Sequence, residues 1–176
     1  MAFMVPDAVA THFHVRHGDR VADLGAGSGH FTRALSRLVG PQGKVFAVEI
    51  QRQLAEGIVE MARTERLANV ESIWGDLETV GGTKIAQGSL DAALLSNTLS
   101  MTEDRGTVLV EVRALLRPGG KLLIVEWSDS AGGLGPAGGM VLTEPEMRAL
   151  AEKHNYVFER TFPAGDHHYG LSFRAA

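Results

Sequence analysis

Two rhythms of apolar residues alternate along this chain. Short apolar-rich runs fall at 20–24, 44–49, 90–95 and 121–126, and a more mixed one, VESIW, at 70–74. Their length and β-branched content predict strands buried on both faces. Between them, apolar positions recur at helical spacing. Phe31, Ala34, Leu35 and Leu38 mark a helix over 29–39, stopped by Gly40-Pro41. Leu54, Ile58, Met61 and Ala62 mark one over 51–67, and Val108, Val112, Leu115 and Leu116 one over 103–116. A short helix is expected over 6–14, with Val9 and Phe13 on one face, and a loop or short helix between strands three and four. The tail changes character. Residues 131–139 are rich in glycine and read as a loop. Thr143, with Glu146 three residues on, opens a helix to about 155. Two last strands, 156–161 and 169–173, are joined too tightly to be parallel. Strand-helix units in series predict an α/β domain with a parallel sheet covered on both faces.

The bulk numbers narrow the class. A chain of 176 residues suits one domain spanning 1–176, and 44% hydrophobic residues supply a packed core. A net charge of −4 argues against nucleic acid as the main partner. With no cysteine, disulfides, thiolate zinc sites and cysteine nucleophiles are excluded. No basic segment leads into an apolar stretch at the start, and no apolar run approaches the roughly 18 residues that span a bilayer. The expectation is a cytoplasmic protein without membrane association.

The chemistry concentrates in residues 21–32, VADLGAGSGHFT. A strand runs into a glycine turn and then into a helix. Such a turn admits a ligand close to the backbone and offers N–H groups to an anion. Asp23 ends the strand as an acceptor facing the same crevice. In an open α/β sheet, ligands bind beyond the carboxyl ends of the strands. Glu49 after strand two, Asp76 after strand three, and Ser96 and Asn97 after strand four all fall there. Glu49 lies about 20 residues beyond the glycine turn, where an acid can take both hydroxyls of a ribose. Asp76 is placed to accept from an adenine amino group. An NAD-dependent oxidoreductase is one alternative. The third glycine of a dinucleotide fingerprint is here His30, which would crowd a pyrophosphate, and no Tyr/Lys pair is evident.

The spacing D-x-G-x-G-x-G resembles motif I of the class I S-adenosylmethionine-dependent methyltransferases, and the resemblance covers nearly the whole chain. VFAVEI, WGDLE, LDAALLSNTL and LLRPGGKLLIVEW are similar to that family's second, third, fourth and fifth strand regions. The nearest flavour is the small-molecule enzymes that include the quinone C-methyltransferases. The resemblance implies a doubly wound, Rossmann-like seven-stranded sheet, order 3-2-1-4-5-7-6 with the last strand antiparallel. It implies S-adenosyl-L-methionine as cofactor. Gly25, Ala26, Gly27 and Gly29 would face the amino-acid end, with Asp23 supporting the turn or the amino group. Glu49 would bind the ribose. Ile50 would pack on the adenine, Asp76 would bond its amino group, and Leu77 would flank it. Ser96 would lie near the methionine moiety or the transferred methyl.

The sequence departs from the amino-methylating subgroup, whose Asn/Asp-Pro-Pro-aromatic is here Ser96-Asn97-Thr98-Leu99. The expected partner is therefore a small or medium-sized methyl acceptor. An RNA or protein methyltransferase and a non-catalytic cofactor binder are the alternatives. Few residues precede strand one, so the lid is small, or a second subunit of a homodimer supplies it, or the substrate brings its own cover. Residues 131–139 are the other lid candidate. A base is needed only if the acceptor has a proton to lose. His14, from the group His12, His14 and His17, and His168, beside His167, are the candidates. A metal site made from Asp166, His167 and His168 with His12 and His14 is a further alternative, but its spacing matches no zinc pattern.

Overall fold

The computed structural model describes residues 4–176 and contains one seven-stranded sheet. Its strands are β1 (Arg20–Leu24), β2 (Lys44–Glu49), β3 (Val70–Trp74), β4 (Leu90–Ser96), β5 (Leu116–Trp127), β6 (Tyr156–Pro163) and β7 (His168–Ala175). They lie in the order β3-β2-β1-β4-β5-β7-β6. Pairing is parallel from β3 to β5, and β7 runs antiparallel to both β5 and β6. The sequence reading of order and direction holds.

On β1, β2, β4 and β5 the apolar runs are continuous because successive side chains enter different cores, whereas the edge strand β3 is only partly buried. Ala22, Leu24, Leu122 and Ile124 belong to one cluster, with Leu109, Val112 and Phe173. Val21, Leu123 and Val125 belong to the other, with Phe13, Phe31 and Leu35. A strand with both faces buried has no polar side to show. Helix α1 (Pro6–Ala10) packs on α2 (His30–Val39) in the second cluster. Helix α3 (Arg52–Thr64) docks through Ala55 and Ile58, which are nearly inaccessible. Its ion pair to α2, Glu65 with Arg33 at 2.7 Å, is partly exposed and adds less than about 1 kcal/mol. Burying Ile58 alone contributes roughly 2 kcal/mol, so packing sets where α3 sits.

Element boundaries moved where a local bond outweighed apolar spacing. Helix α4 (Arg105–Leu115) starts two residues later than expected, because Asp104 caps it by accepting from Thr107 N–H at 3.0 Å. Leu116 leaves that helix to pair with Leu90, so β5 begins before the Arg117–Gly120 turn. A 3-10 turn at Leu99–Met101 follows β4, which apolar periodicity did not signal. Helix α1 is shorter than 6–14, yet Phe13 beyond it is fully buried. Single 3-10 turns lie at Ala131–Gly133 and Gly138–Met140, and helix α5 (Glu144–Lys153) carries the expected capping box at Thr143 and Glu146.

Candidate active site

A cleft of about 340 Å³ opens at the carboxyl ends of β1, β2 and β4. Gly25, Gly27, Glu49, Ile50, Asp76 and Leu77 line it, six of the residues singled out from sequence. Asp23, Ala26, Gly29, Ser96, His14 and His168 are not among its lining residues.

The three glycines answer three different demands. At Gly25 a Cβ would lie 2.6 Å from Thr98 Oγ1, so Thr98 closes over that residue. At Gly29, the N-cap of α2, a Cβ would meet Met61 of α3 at 2.9 Å. At Gly27, with φ of 55°, nothing lies within 4 Å. Gly25 and Gly29 serve packing, and Gly27 leaves open space toward the cleft.

The N–H groups of the turn are less free than the sequence suggested. Those of Gly25 and Ala26 both donate to Val48 O of β2. That of Gly27 donates to Glu49 Oε2 at 2.8 Å, and Gln51 N–H donates to Glu49 Oε1 at 2.9 Å. The anion at this glycine turn is Glu49 itself. One amide on each oxygen fixes the carboxylate and leaves a lone pair on each. Asp76 is held the same way, Oδ1 by Glu78 N–H and Oδ2 by Thr79 O–H, both at 2.8 Å. It makes a tight local turn and still lines the cleft.

Asp23 turns under the site. Its carboxylate accepts from Thr32 O–H at 2.6 Å, in the first turn of α2, and is almost wholly buried. Burial pushes its pKa up to about 6, against the Thr32 bonds and with a contribution from the Glu49 charge. Asp23 therefore braces the turn from below. Ala26 holds the turn to β2, and Ser96 uses its carbonyl to accept from Thr98 O–H at 3.2 Å.

The two histidines part company. His14 lies at the amino end of the sheet, its carbonyl taking a bond from Lys121 Nζ at 2.6 Å. It shares a polar pit with Arg16, Asp91, Arg117 and Arg174. Met4, the first described residue, lies against Gly165, and from there the segment before β1 reaches the amino end of the sheet, so His14 is corrected to a position remote from the cleft. His168 lies behind the cleft wall. Its ring packs on Trp127, and its Nε2 is 3.3 Å from Asn97 Nδ2. Nδ1 is 3.0 Å from Asp166 O, which only accepts, so Nδ1 carries the proton and Nε2 accepts from Asn97. Burial holds this imidazole below the usual histidine pKa.

Sequence reasoning missed part of the wall. Beside Asn97, which the sequence did place there, Thr98, Met101 and Thr102 line it from the segment after β4, and Glu78 from the segment after Asp76. Asn97 has a φ of 53°, and its buried Oδ1 has no partner among the described residues. Beyond Asn97, only the break in apolar pattern after β4 marked this segment. The 131–139 stretch is pinned. Ser128 N–H donates to His167 O, Asp129 pairs with His167 Nδ1 at 2.9 Å, and Gly135 lies on the Trp127 ring. No group of three or more metal-ligating side chains occurs among the described residues.

Known proteins bear on this site in three ways. A family profile described as a methyltransferase domain matches residues 16–161. A ubiquinone/menaquinone biosynthesis C-methyltransferase from Hahella chejuensis is 32% identical over 119 residues, covering 65% of this chain and 45% of that protein. An arsenite methyltransferase from Aquipseudomonas alcaligenes is 35% identical over 109 residues, covering 60% and 32%. The chain spans less than half the length of these curated relatives. The crystal structure of an S-adenosylmethionine-dependent methyltransferase from Aquifex aeolicus superposes with a TM-score of 0.90 at 23% identity, covering 99% of this chain and 91% of that one. The glycine turn, the acids ending β2 and β3, the strand order and a profile match over most of the chain agree. This chain belongs to the methyltransferase-domain family of class I S-adenosylmethionine-dependent enzymes.

Proposed function

We propose that this protein transfers a methyl group from S-adenosylmethionine to a small or medium-sized acceptor. One observation carries the reading. Two carboxylates, Glu49 and Asp76, face one cleft, each already oriented by the chain's own donors, with lone pairs left over. Glu49 fits a vicinal diol and Asp76 an exocyclic amino group. Ile50, 59% exposed at the rim, offers an apolar face beside them. The open space at Gly27 fits the cofactor's approach to the backbone, since any side chain there would fill it.

The bound cofactor supplies an electrophilic methyl group with a neutral thioether as its leaving group. The chain's task is alignment of donor and acceptor, from which much of the acceleration can come. Thr98 fixes the turn by closing over Gly25 and donating to Leu24 O at 2.9 Å. His168 holds the Asn97 carboxamide in one orientation, its only acceptor nitrogen already engaged, so we assign it positioning and not proton transfer.

The charge of the cleft supports this acceptor class. The lining residues include Glu49, Asp76 and Glu78 and no lysine or arginine. A polyphosphate chain is repelled by such a wall, which favours a small molecule over RNA. The curated relatives are named for a quinone precursor pathway and for arsenite. Among the described residues no helix is long and apolar enough to cross a membrane.

The test is calorimetric titration with S-adenosylmethionine, S-adenosylhomocysteine and NAD in parallel. Micromolar binding of the first two, without NAD, is the expected result and justifies an acceptor screen. Binding of NAD alone overturns the reading. Binding without methyl loss across a broad acceptor panel replaces it with a non-catalytic binder.

A further inference from the structure

Helix α4 contributes no lining residue to the cleft, yet one of its acids reaches the cleft wall indirectly. Glu111 is 3% exposed, in a helix whose other buried positions are apolar. Its carboxylate accepts from Gly81 N–H at 2.9 Å and from Thr83 O–H at 2.6 Å. Neither partner is a cation. A buried carboxylate satisfied only by neutral donors is costly to keep for stability alone, where an apolar side chain would serve.

The loop it holds lies directly on Asp76. Asp76 N–H donates to Gly82 O at 3.3 Å. A Cβ on Gly82 would lie 2.2 Å from Asp76 O, and one on Gly75 would lie 2.6 Å from Gly82 O. Residues 81–83 and 75–76 are thus in backbone contact with no room to spare. Thr83 is wholly inaccessible. A second tie acts on the same wall, where Asp104 N–H, at the cap of α4, donates to Glu78 Oε1 at 2.7 Å. Position therefore passes from Glu111 to Gly81 and Thr83, then through Gly82 to Asp76.

We propose that Glu111 is a positioning residue for the adenine side of the cofactor site. Through the 81–83 loop it sets where the Asp76 carboxylate stands, without touching ligand. This rests on the reading that Asp76 faces the adenine amino group.

The experiment compares wild type with Glu111→Ala and Glu111→Gln. Each is titrated with S-adenosylhomocysteine and with its purine-riboside analogue, which lacks the amino group. Unfolding temperature is followed in parallel, and KM for the cofactor is set against kcat. Wild type is expected to prefer the amino-bearing ligand by about tenfold, the value of one hydrogen bond to a charged group. In Glu111→Ala that preference falls toward one, because Asp76 has moved. KM rises and kcat at saturating cofactor stays within about twofold. Glu111→Gln keeps one acceptor oxygen and so lies between, and it serves if the alanine variant does not fold. A lower unfolding temperature with the preference intact overturns the proposal and makes Glu111 merely structural. A wild type that binds both ligands equally also overturns it, with the cofactor assignment standing. A wild type that binds neither removes that assignment, and the proposal with it.

Discussion

The two ends of the sheet handle charge in opposite ways. At the amino end, charges cancel each other. Asp91 accepts from Arg117 Nε at 2.6 Å and from Arg20 N–H at 2.8 Å, Arg174 pairs with Glu159, and Lys121 is spent on a carbonyl. At the carboxyl end, Glu49 and Asp76 have no cationic partner among the described residues and are held by backbone amides and a hydroxyl. A salt bridge satisfies a carboxylate and closes it. Amide donors orient it and leave its negative charge available. The same residue type is thus a strut at one end and, on the proposed reading, a recognition group at the other, and the difference lies in what donates to it.

Asp23 gives the largest expected effect, since it sits at the recognition end yet is buried like a strut. Its folded pKa of about 6 lies above the ordinary 3.8. Between those values the folded chain holds a proton that the unfolded chain has lost. Stability from this group is therefore full below pH 4 and declines as pH rises toward 6, by about 3 kcal/mol in all. Asp23→Asn keeps an acceptor for Thr32 and is expected to flatten that decline. Urea unfolding between pH 4 and 7 checks it, and an unchanged slope removes Asp23 as its source. Next in size is Glu49→Ala, expected to weaken S-adenosylmethionine binding by at least about tenfold through loss of paired bonds to a charged acceptor. Unchanged affinity in calorimetry would remove Glu49 from the ribose. Smallest is Arg117→Ala. Its ion pair is half exposed, so stability should fall by no more than about 1 kcal/mol. Cofactor affinity should not change, and a measurable loss there would break the contrast between the two ends.

What the sequence made legible follows from what a pattern encodes. Continuous apolar runs announce strands buried on both faces, and a glycine turn followed by acids at successive strand ends announces the cleft. Glu49 and Asp76 were legible because strand register alone places them. Glu111 was not. An acid between Val110 and Val112 in an amphipathic helix reads as a solvated position, and its burial depends on a loop nearly thirty residues earlier. Thr98 was hidden for a similar reason, since its role is to fill the space a side chain at Gly25 would need. His14 misled because sequence proximity to β1 says nothing about which end of the sheet a preceding segment reaches. Asp23 was placed correctly along the chain, but the direction of its side chain was settled by Thr32.

The loop from Ser128 to Leu142 stands with one foot just ahead of β7 and the other on it. Ser128 N–H bonds to His167 O just ahead of β7, and Leu142 O accepts from Tyr169 O–H within it at 2.9 Å. A loop whose ends stay near neighbouring residues loses little closure entropy when lengthened, since doubling its length costs only about 0.6 kcal/mol. The cofactor half, built on β1, β2 and the 76–85 loop, shares none of those anchors. The 128–142 loop is accordingly a part whose length can change at little cost. A graft between these two feet can change the loop while Glu49 and Asp76 keep the donors that orient them.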